Sequence, residues 1–314
     1  MTYPSEKQVR SLLARLYAFI KTELPPKRAE LLVAFAKQYF ATVSSEDLAE
    51  RSIKDLYGTL RSHFELLYQR EHGDAKVRVF NPSCAEHGWQ STHTVIELIH
   101  DDMPFLVDSV RMEINRRGFL IHFIIHTGGL KIRRSANGRV MEVLTRDYHG
   151  KDVLTEASIY LEIDRQTDPA VLQALQTVLT DILQDVTVAV EDWHTMLEHL
   201  DQSLMELEQT PPPQDPAEIT ESKAFLRWLK ENFIFFGCRD YCLVDKKGEK
   251  SFESIPGLGV GVLRETTENH TRHLSEMPPE ARKLALSPQI LIIAKTNTRA
   301  TIHRSAYTDY VGVK

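Results

Sequence analysis

Four groups of residues have types and spacings that could carry chemistry. Gly257-Leu-Gly-Val-Gly261 invites comparison with a nucleotide loop. Its G-x-G-x-G spacing lacks the third glycine of a dinucleotide fingerprint, and Val262-Leu263-Arg264 reads on as strand where a phosphate-binding helix should begin. The expectation is therefore a flexible turn that enters a strand. No GKS or GKT run supplies a phosphate loop. His122 and His126 fall on one face of an apolar strand, but a closed metal site needs about four ligands, so a half-exposed sheet face explains them better. Cys238 and Cys242 lie four apart in a predicted strand and read as packed thiols. No G-x-S-x-G elbow, H-E-x-x-H or paired C-x-x-C occurs. Asp101 and Asp102 stand where a strand gives way to a helix. Asp102 is expected to cap that helix, with Pro104 in its first turn. The same junction could offer free amides to a small ligand. No catalytic, cofactor-binding or metal-ligating set is assembled from these groups.

The elements that would position these residues follow from apolar periodicity. Residues 5–72 read as three helices: one through Val9–Ile20, one after Pro25-Pro26 through Leu31–Phe40, and one through Leu48–Leu67, forming a small bundle. From about residue 75 the period becomes 2. Lys76–Phe80 is a strand. Then come strand 94–100, helix 101–118, strand 119–126, strand 158–164, helix 168–183 and a last strand, Val186–Val190. That order, β-α-β-β-α-β, predicts a four-stranded antiparallel sheet with both helices on one side. A hairpin at 130–148, turning at Ala136-Asn137-Gly138, is inserted between the middle strands. Phe119–Ile125 is more apolar than a one-sided sheet needs, so another domain or copy is expected on its second face. A helix follows at 191–207, and Thr210–Pro216 is the clearest linker. Beyond it, a helix at 224–233, strands at 238–244, 261–264, 290–294 and 301–313, and a turn at Lys246-Lys247-Gly248 make a second α+β unit.

The totals exclude several classes. A net charge of −6 with both signs intermixed argues against nucleic-acid partners. The amino terminus has no apolar signal core, and no stretch suits a membrane span. Three cysteines make no disulfide framework, which fits a reducing cytoplasm. The chain closes on an apolar, strand-like stretch, SAYTDYVGVK, as expected of a piece of a longer polypeptide.

Several segments resemble one family. Asp102-Met-Pro-Phe-Leu-Val-Asp-Ser-Val110 with Met112-Glu-Ile-Asn-Arg-Arg-Gly118 is similar to a signature of the large bacterial NAD-specific glutamate dehydrogenases. Ala189-Val-Glu-Asp-Trp193, Phe225-Leu-Arg-Trp-Leu229, Asn232-Phe-Ile-Phe-Phe-Gly237 and Arg239-Asp-Tyr241 continue the resemblance, as do Gly257-Leu-Gly259, Val262-Leu-Arg264, His303-Arg304 and Asp309-Tyr-Val-Gly312. The resemblance implies a parent enzyme that oxidises L-glutamate with NAD in a region far downstream. This chain would then be a non-catalytic regulatory and assembly region, without cofactor of its own, working in a homo-oligomer under a possible amino-acid effector. It also implies helical motif 1–74, ACT-like domain 75–208 with a trailing helix, linker 209–217, and a PAS-like or second ACT-like unit 218–314. ACT domains often bind an amino acid between their first strand and first helix, matching Asp101, Asp102, Met103, Pro104, Phe105, Leu106 and Val107 here. Ligand-binding ACT loops commonly have glycine after the proline. Phe105 stands there instead and favours a packing or assembly role. A free-standing ACT-type amino-acid sensor or scaffold is the alternative.

Overall fold

The computed structural model describes residues 6–246, 249–264 and 271–314. The chain divides into two compact units, Met1–Leu183 and Gln184–Lys314.

In the first unit, helix α1 (Glu6–Glu23) is followed by α2 (Pro26–Tyr39), with Pro26 in the first turn, where a missing N–H costs nothing. The single third helix expected from Leu48 to Leu67 is two, α3 (Ser45–Ala49) and α4 (Ile53–Tyr68). Each has its own cap: the Ser44 hydroxyl accepts from the Asp47 amide, and the Ser52 hydroxyl from the Asp55 amide. The second Ser-x-x-Asp start breaks the run that apolar periodicity alone would join.

Strand β1 (Lys76–Phe80) and the short helix α5 (Cys84–His87) lead into β2 (Thr94–Asp101), α6 (Leu106–Arg116), β3 (Ile121–Arg134), β4 (Val140–Leu144), β5 (Leu154–Ile163) and α7 (Pro169–Glu191). The division between the units falls within α7. The strands form one antiparallel sheet of order β1-β2-β5-β3-β4. Two expectations fail here. Val186–Val190 is not a strand; α7 runs through it. Leu175, Leu179, Ile182, Val186 and Ala189 are buried at helical spacing, and that stripe outweighs the β-branched content of Val-Thr-Val-Ala-Val. The place beside β2 that a closing strand would fill is taken by β1 from earlier in the chain. The expected inserted hairpin is instead an extension of β3 with β4 added at the sheet edge. Its turn is as read, with the Gly138 amide donating to Ser135 O at 2.9 Å and Gly138 at φ 77°.

Strand alternation sends Val95 and Ile99, Phe123 and Ile125, Leu130 and Ile132, and Tyr160 into one core with Leu16, Ile20, Leu32, Phe35, Leu60 and Phe64 of the helices. The strongly apolar third strand is thus covered by this chain's own amino-terminal helices. Ile96, Leu98, Ile159 and Leu161 point to the opposite face and are buried as well, as are Val110 and Ile114 of α6 and Leu175 and Leu179 of α7.

In the second unit, α8 (Trp193–Gln209) and α9 (Pro216–Asn232) pack through Leu200, Leu204, Leu207, Leu226 and Leu229, and the proline segment joins them. Among the described residues, β6 (Gly237–Cys238) pairs with β9 (Val260–Gly261), β7 (Tyr241–Lys246) with β8 (Glu249–Ser254), which also pairs β10 (Thr271–His273), and, beyond helix α10 (Pro279–Ala285), β11 (Leu291–Arg299) pairs with β12 (Tyr307–Val313). The predicted strand 238–244 is therefore two strands in different sheets, broken at Arg239-Asp240, so Cys238 and Cys242 do not share a face. The expected strand 261–264 stops at Gly261, because Val262 and Leu263 turn. The turn at Lys246-Lys247-Gly248 lies outside the described residues.

Candidate functional site

The loop between β2 and α6 carries Asp101, Asp102, Met103, Pro104, Phe105, Leu106 and Val107. Asp101 closes β2 and turns its carboxylate toward the residues that follow α4. Its Oδ1 accepts from Arg70 Nη2 at 2.7 Å, and its Oδ2 accepts from the Gly73 amide at 2.9 Å and lies 3.1 Å from His72 Nδ1. Burial alone would raise the Asp101 carboxyl. The hydrogen bond and charge of Arg70, with His72 and the Gly73 amide, outweigh it and hold the group below the usual carboxylate range.

Arg70 is fully buried and reaches a second carboxylate, with Nη1 3.1 Å from Glu156 Oε1. Glu156 is fully buried too and is gripped by Arg134 through two bonds of 2.7 and 2.8 Å. Arg134 also donates to Leu67 O and Gly138 O. A chain of alternating charges, Asp101–Arg70–Glu156–Arg134, therefore fixes the root of the loop to β5, to β3 and to the end of α4. Each charge has an opposite partner, as burial demands.

Asp102 is not the helix cap. Its Oδ2 accepts from the Gly129 amide at 2.8 Å, and its own amide donates to Thr155 O at 2.9 Å. The geometry comes from a register shift in β3 between Thr127 and Leu130, opposite β5, where Gly129 sits at φ 69°. A Cβ on Gly128 would lie 3.1 Å from Asp102 Oδ1 and 3.4 Å from His126 Nε2, so this glycine lets both side chains close over the strand. Pro104 precedes the helix instead of entering it. Phe105 is the residue before α6, at φ 73°, ψ −6°, and its carbonyl accepts the first helical bond, from the Ser109 amide at 3.0 Å. A left-handed phenylalanine costs roughly 1–2 kcal/mol, which the surrounding structure must offset. Leu106 is buried in the first turn; Met103 and Val107 are half-buried. The α6 amino terminus has no side-chain cap.

His122 and His126 share the exposed face of β3 as expected, but they do not meet each other. His122 Nε2 is 2.7 Å from Asp164 Oδ1, and its ring stacks on His93 at 4.4 Å. The Gly257–Gly261 segment is a turn entering β9. Asp192, at the start of α8, accepts from the Gly261 amide at 2.6 Å and from Arg264 at 2.7 and 2.8 Å. Arg264, then the Gly261 amide, holds its carboxyl down against burial. The Gly261 amide is thus taken by a carboxylate of this chain and is not offered to a bound phosphate. Sequence reasoning missed Arg70, Arg134, Glu156 and the Gly128-Gly129 bulge. Only the adjacent glycines inside an apolar strand could have signalled it.

Residues 35–179, from α2 into α7, match the family described as glutamate dehydrogenase, ACT1 domain. The match takes in the end of α2, α3 and α4 as well as the loop at 101–107, and α1 lies outside it. The chain belongs to the amino-terminal region of the NAD-specific glutamate dehydrogenase family. It is 35% identical over 317 residues to the NAD-specific glutamate dehydrogenase of Halomonas elongata, covering 100% of this chain and 20% of that protein. It is 35% identical over 308 residues to the enzyme of the same description from Pseudomonas aeruginosa, covering 96% of this chain and 18% of that protein. The chain thus spans about a fifth of the length of these dehydrogenases. No described helix is long and apolar enough to cross a membrane.

Proposed function

We propose that this chain is a non-catalytic regulatory and assembly region of a cytoplasmic NAD-specific glutamate dehydrogenase. In that reading the reaction, L-glutamate with NAD and water giving 2-oxoglutarate, ammonia and NADH, runs on the remainder of the polypeptide, which binds the dinucleotide and forms a homo-oligomer. The share of its relatives that the chain spans leaves room for such a region. Residues 218–314 serve as a PAS-like or second ACT-like module.

The observation that carries the assembly role is Phe105. Its backbone holds the left-handed conformation that glycine adopts without penalty, yet an aromatic side chain occupies the position. Asp101 is engaged by Arg70 and the Gly73 amide, and Asp102 Oδ2 by the Gly129 amide, which ties both carboxylates to donors of this chain. A rigid loop presenting Phe105 suits packing against another part of the enzyme. The test is Phe105→Gly, which keeps the backbone and deletes the ring. We expect the full-length enzyme to lose oligomer in light scattering, and calorimetry of this chain against a panel of amino acids to show no binding. Amino-acid binding at 101–107 that Phe105→Gly strengthens, with assembly unchanged, would overturn the reading. Dinucleotide-dependent glutamate oxidation by this chain alone would overturn its non-catalytic character.

A further inference from the structure

His199, Cys238 and Asp240 come from α8, from β6 and from the turn after β6. Their ligand atoms, one imidazole nitrogen, one thiol sulfur and one carboxylate oxygen, all lie within 4.8 Å of one another. His199 Nδ1 and Asp240 Oδ2 are 3.5 Å apart. We propose that these three side chains form a binding site for a divalent transition-metal ion of the zinc type.

Local structure brings them together. Cys238 and Asp240 are two apart in the chain and their ligand atoms converge, while Arg239 between them donates to Leu263 O at 2.6 Å. Strand β6 is fixed by its ladder with β9, Gly237 opposite Gly261 and Cys238 opposite Val260. Strand β9 is in turn fastened to the start of α8, where Asp192 accepts from the Gly261 amide. His199 stands seven residues, about two helical turns, beyond Asp192, and so on the same side of α8. The Asp240 carbonyl accepts from the Ile255 amide at 3.0 Å, which anchors the turn. All three ligands are partly shielded from solvent.

The donor set selects the ion. One thiolate with one imidazole favours borderline-soft zinc or cobalt over calcium or magnesium, which prefer oxygen. Three protein ligands leave a fourth tetrahedral position for water. An ion held by all three side chains would tie α8 to the chain that follows β6, with one position left open. Without an ion, the same cluster amounts to a histidine–aspartate pair beside a thiol.

Cobalt(II) distinguishes the two. The purified chain, stripped with chelator, is titrated with Co²⁺ while absorption is followed. We expect one ion per chain, a near-ultraviolet thiolate-to-cobalt band, the intense visible bands of tetrahedral cobalt, and their loss on adding Zn²⁺. Cys238→Ser abolishes the thiolate band, whereas Cys84→Ser/Cys242→Ser retains it. His199→Ala and Asp240→Asn each weaken Co²⁺ binding by at least ~10-fold, the least that losing even an outer-shell partner costs. Far-ultraviolet dichroism confirms that each variant is folded. Absence of a thiolate band in the unaltered chain, its survival in Cys238→Ser, or undiminished affinity in either other variant overturns the proposal.

Discussion

Replacing Glu156 by glutamine probes the charge chain that roots the candidate loop. The substitution conserves shape and removes one charge from between two guanidinium groups. Arg70 is fully buried and Arg134 nearly so; after the change only Asp101 remains to balance them. Glutamine Oε1 can still accept, but its amide then faces an arginine N–H, donor against donor. Leaving a buried charge uncompensated costs about 3–5 kcal/mol. With a urea slope of about 2 kcal/mol/M, the midpoint should fall by roughly 1.5–2.5 M. Trp89 is the one tryptophan among residues 6–183, so in a Trp193→Phe/Trp228→Phe background its fluorescence reports on the first unit alone. A cycle with Arg134→Gln should show strong coupling, and amide exchange at 101–107 should quicken as Arg70 loses one of its two carboxylate partners. A midpoint loss worth under about 1 kcal/mol, or strict additivity with Arg134→Gln, would refute the claim that this network holds the loop.

Two further outcomes follow from the core. His63 is buried, with Nε2 3.1 Å from Leu98 O and Nδ1 2.9 Å from the Tyr39 hydroxyl. A carbonyl only accepts, so Nε2 carries the proton and Tyr39 donates to Nδ1. Burial drives His63 from 6.5 down to about 3, so the unfolded chain takes up a proton that the folded chain refuses. Its contribution is full above about pH 6.5 and declines as pH falls toward about 3, by up to ~1.4 kcal/mol per pH unit. The carboxyls of Asp101 and Glu162 are held low by their arginine partners and act only at lower pH. Urea midpoints between pH ~7.5 and ~5 should therefore slope more steeply in the unaltered chain than in His63→Gln, where His126, also lowered by burial, still contributes; equal slopes would exclude the assignment. Gly58 lies in α4 against Trp89, and a Cβ there would stand 2.4 Å from Trp89 Cβ and Cγ. Gly58→Ala should cost about 1–3 kcal/mol by overpacking, against about 1 kcal/mol of gained helix propensity, and should shift Trp89 emission; a more stable variant would contradict the contact.

Local signals predicted what local forces decide. The apolar stripes of α1, α2 and α4, the alternation of β1 and β2, and the Asn-Gly turn before β4 were legible because each depends on residues within one or two turns of chain. Val186–Val190 misled because β-branched residues favour strands intrinsically, while the stripe begun at Leu175 continues unbroken through them. The strand-to-helix junction at 101–107 is legible in the sequence, but its wiring is not. Arg70 precedes Asp101 by 31 residues, and Gly129 follows Asp102 by 27. The register between β3 and β5, with its bulge, brings in Gly129, and the pairing of Gln69 and Arg70 with Gly138 and Arg139 brings in Arg70. The Asp102 cap was misplaced because the sequence shows a good capping residue before an apolar run, and only the fold reveals that a glycine amide takes its carboxylate first.

The placing of β1 has a practical consequence for dissecting this protein. A fragment begun at Thr94, where the β-α-β-β pattern starts, would strip the outermost ribbon from β2 and lift α1–α4 from the sheet at the same time. Val95, Ile99 and Phe123 would meet water beside a row of unanswered amides, a surface that recruits neighbouring molecules. Such a piece should precipitate, even though every strand and helix that defines its topology is present.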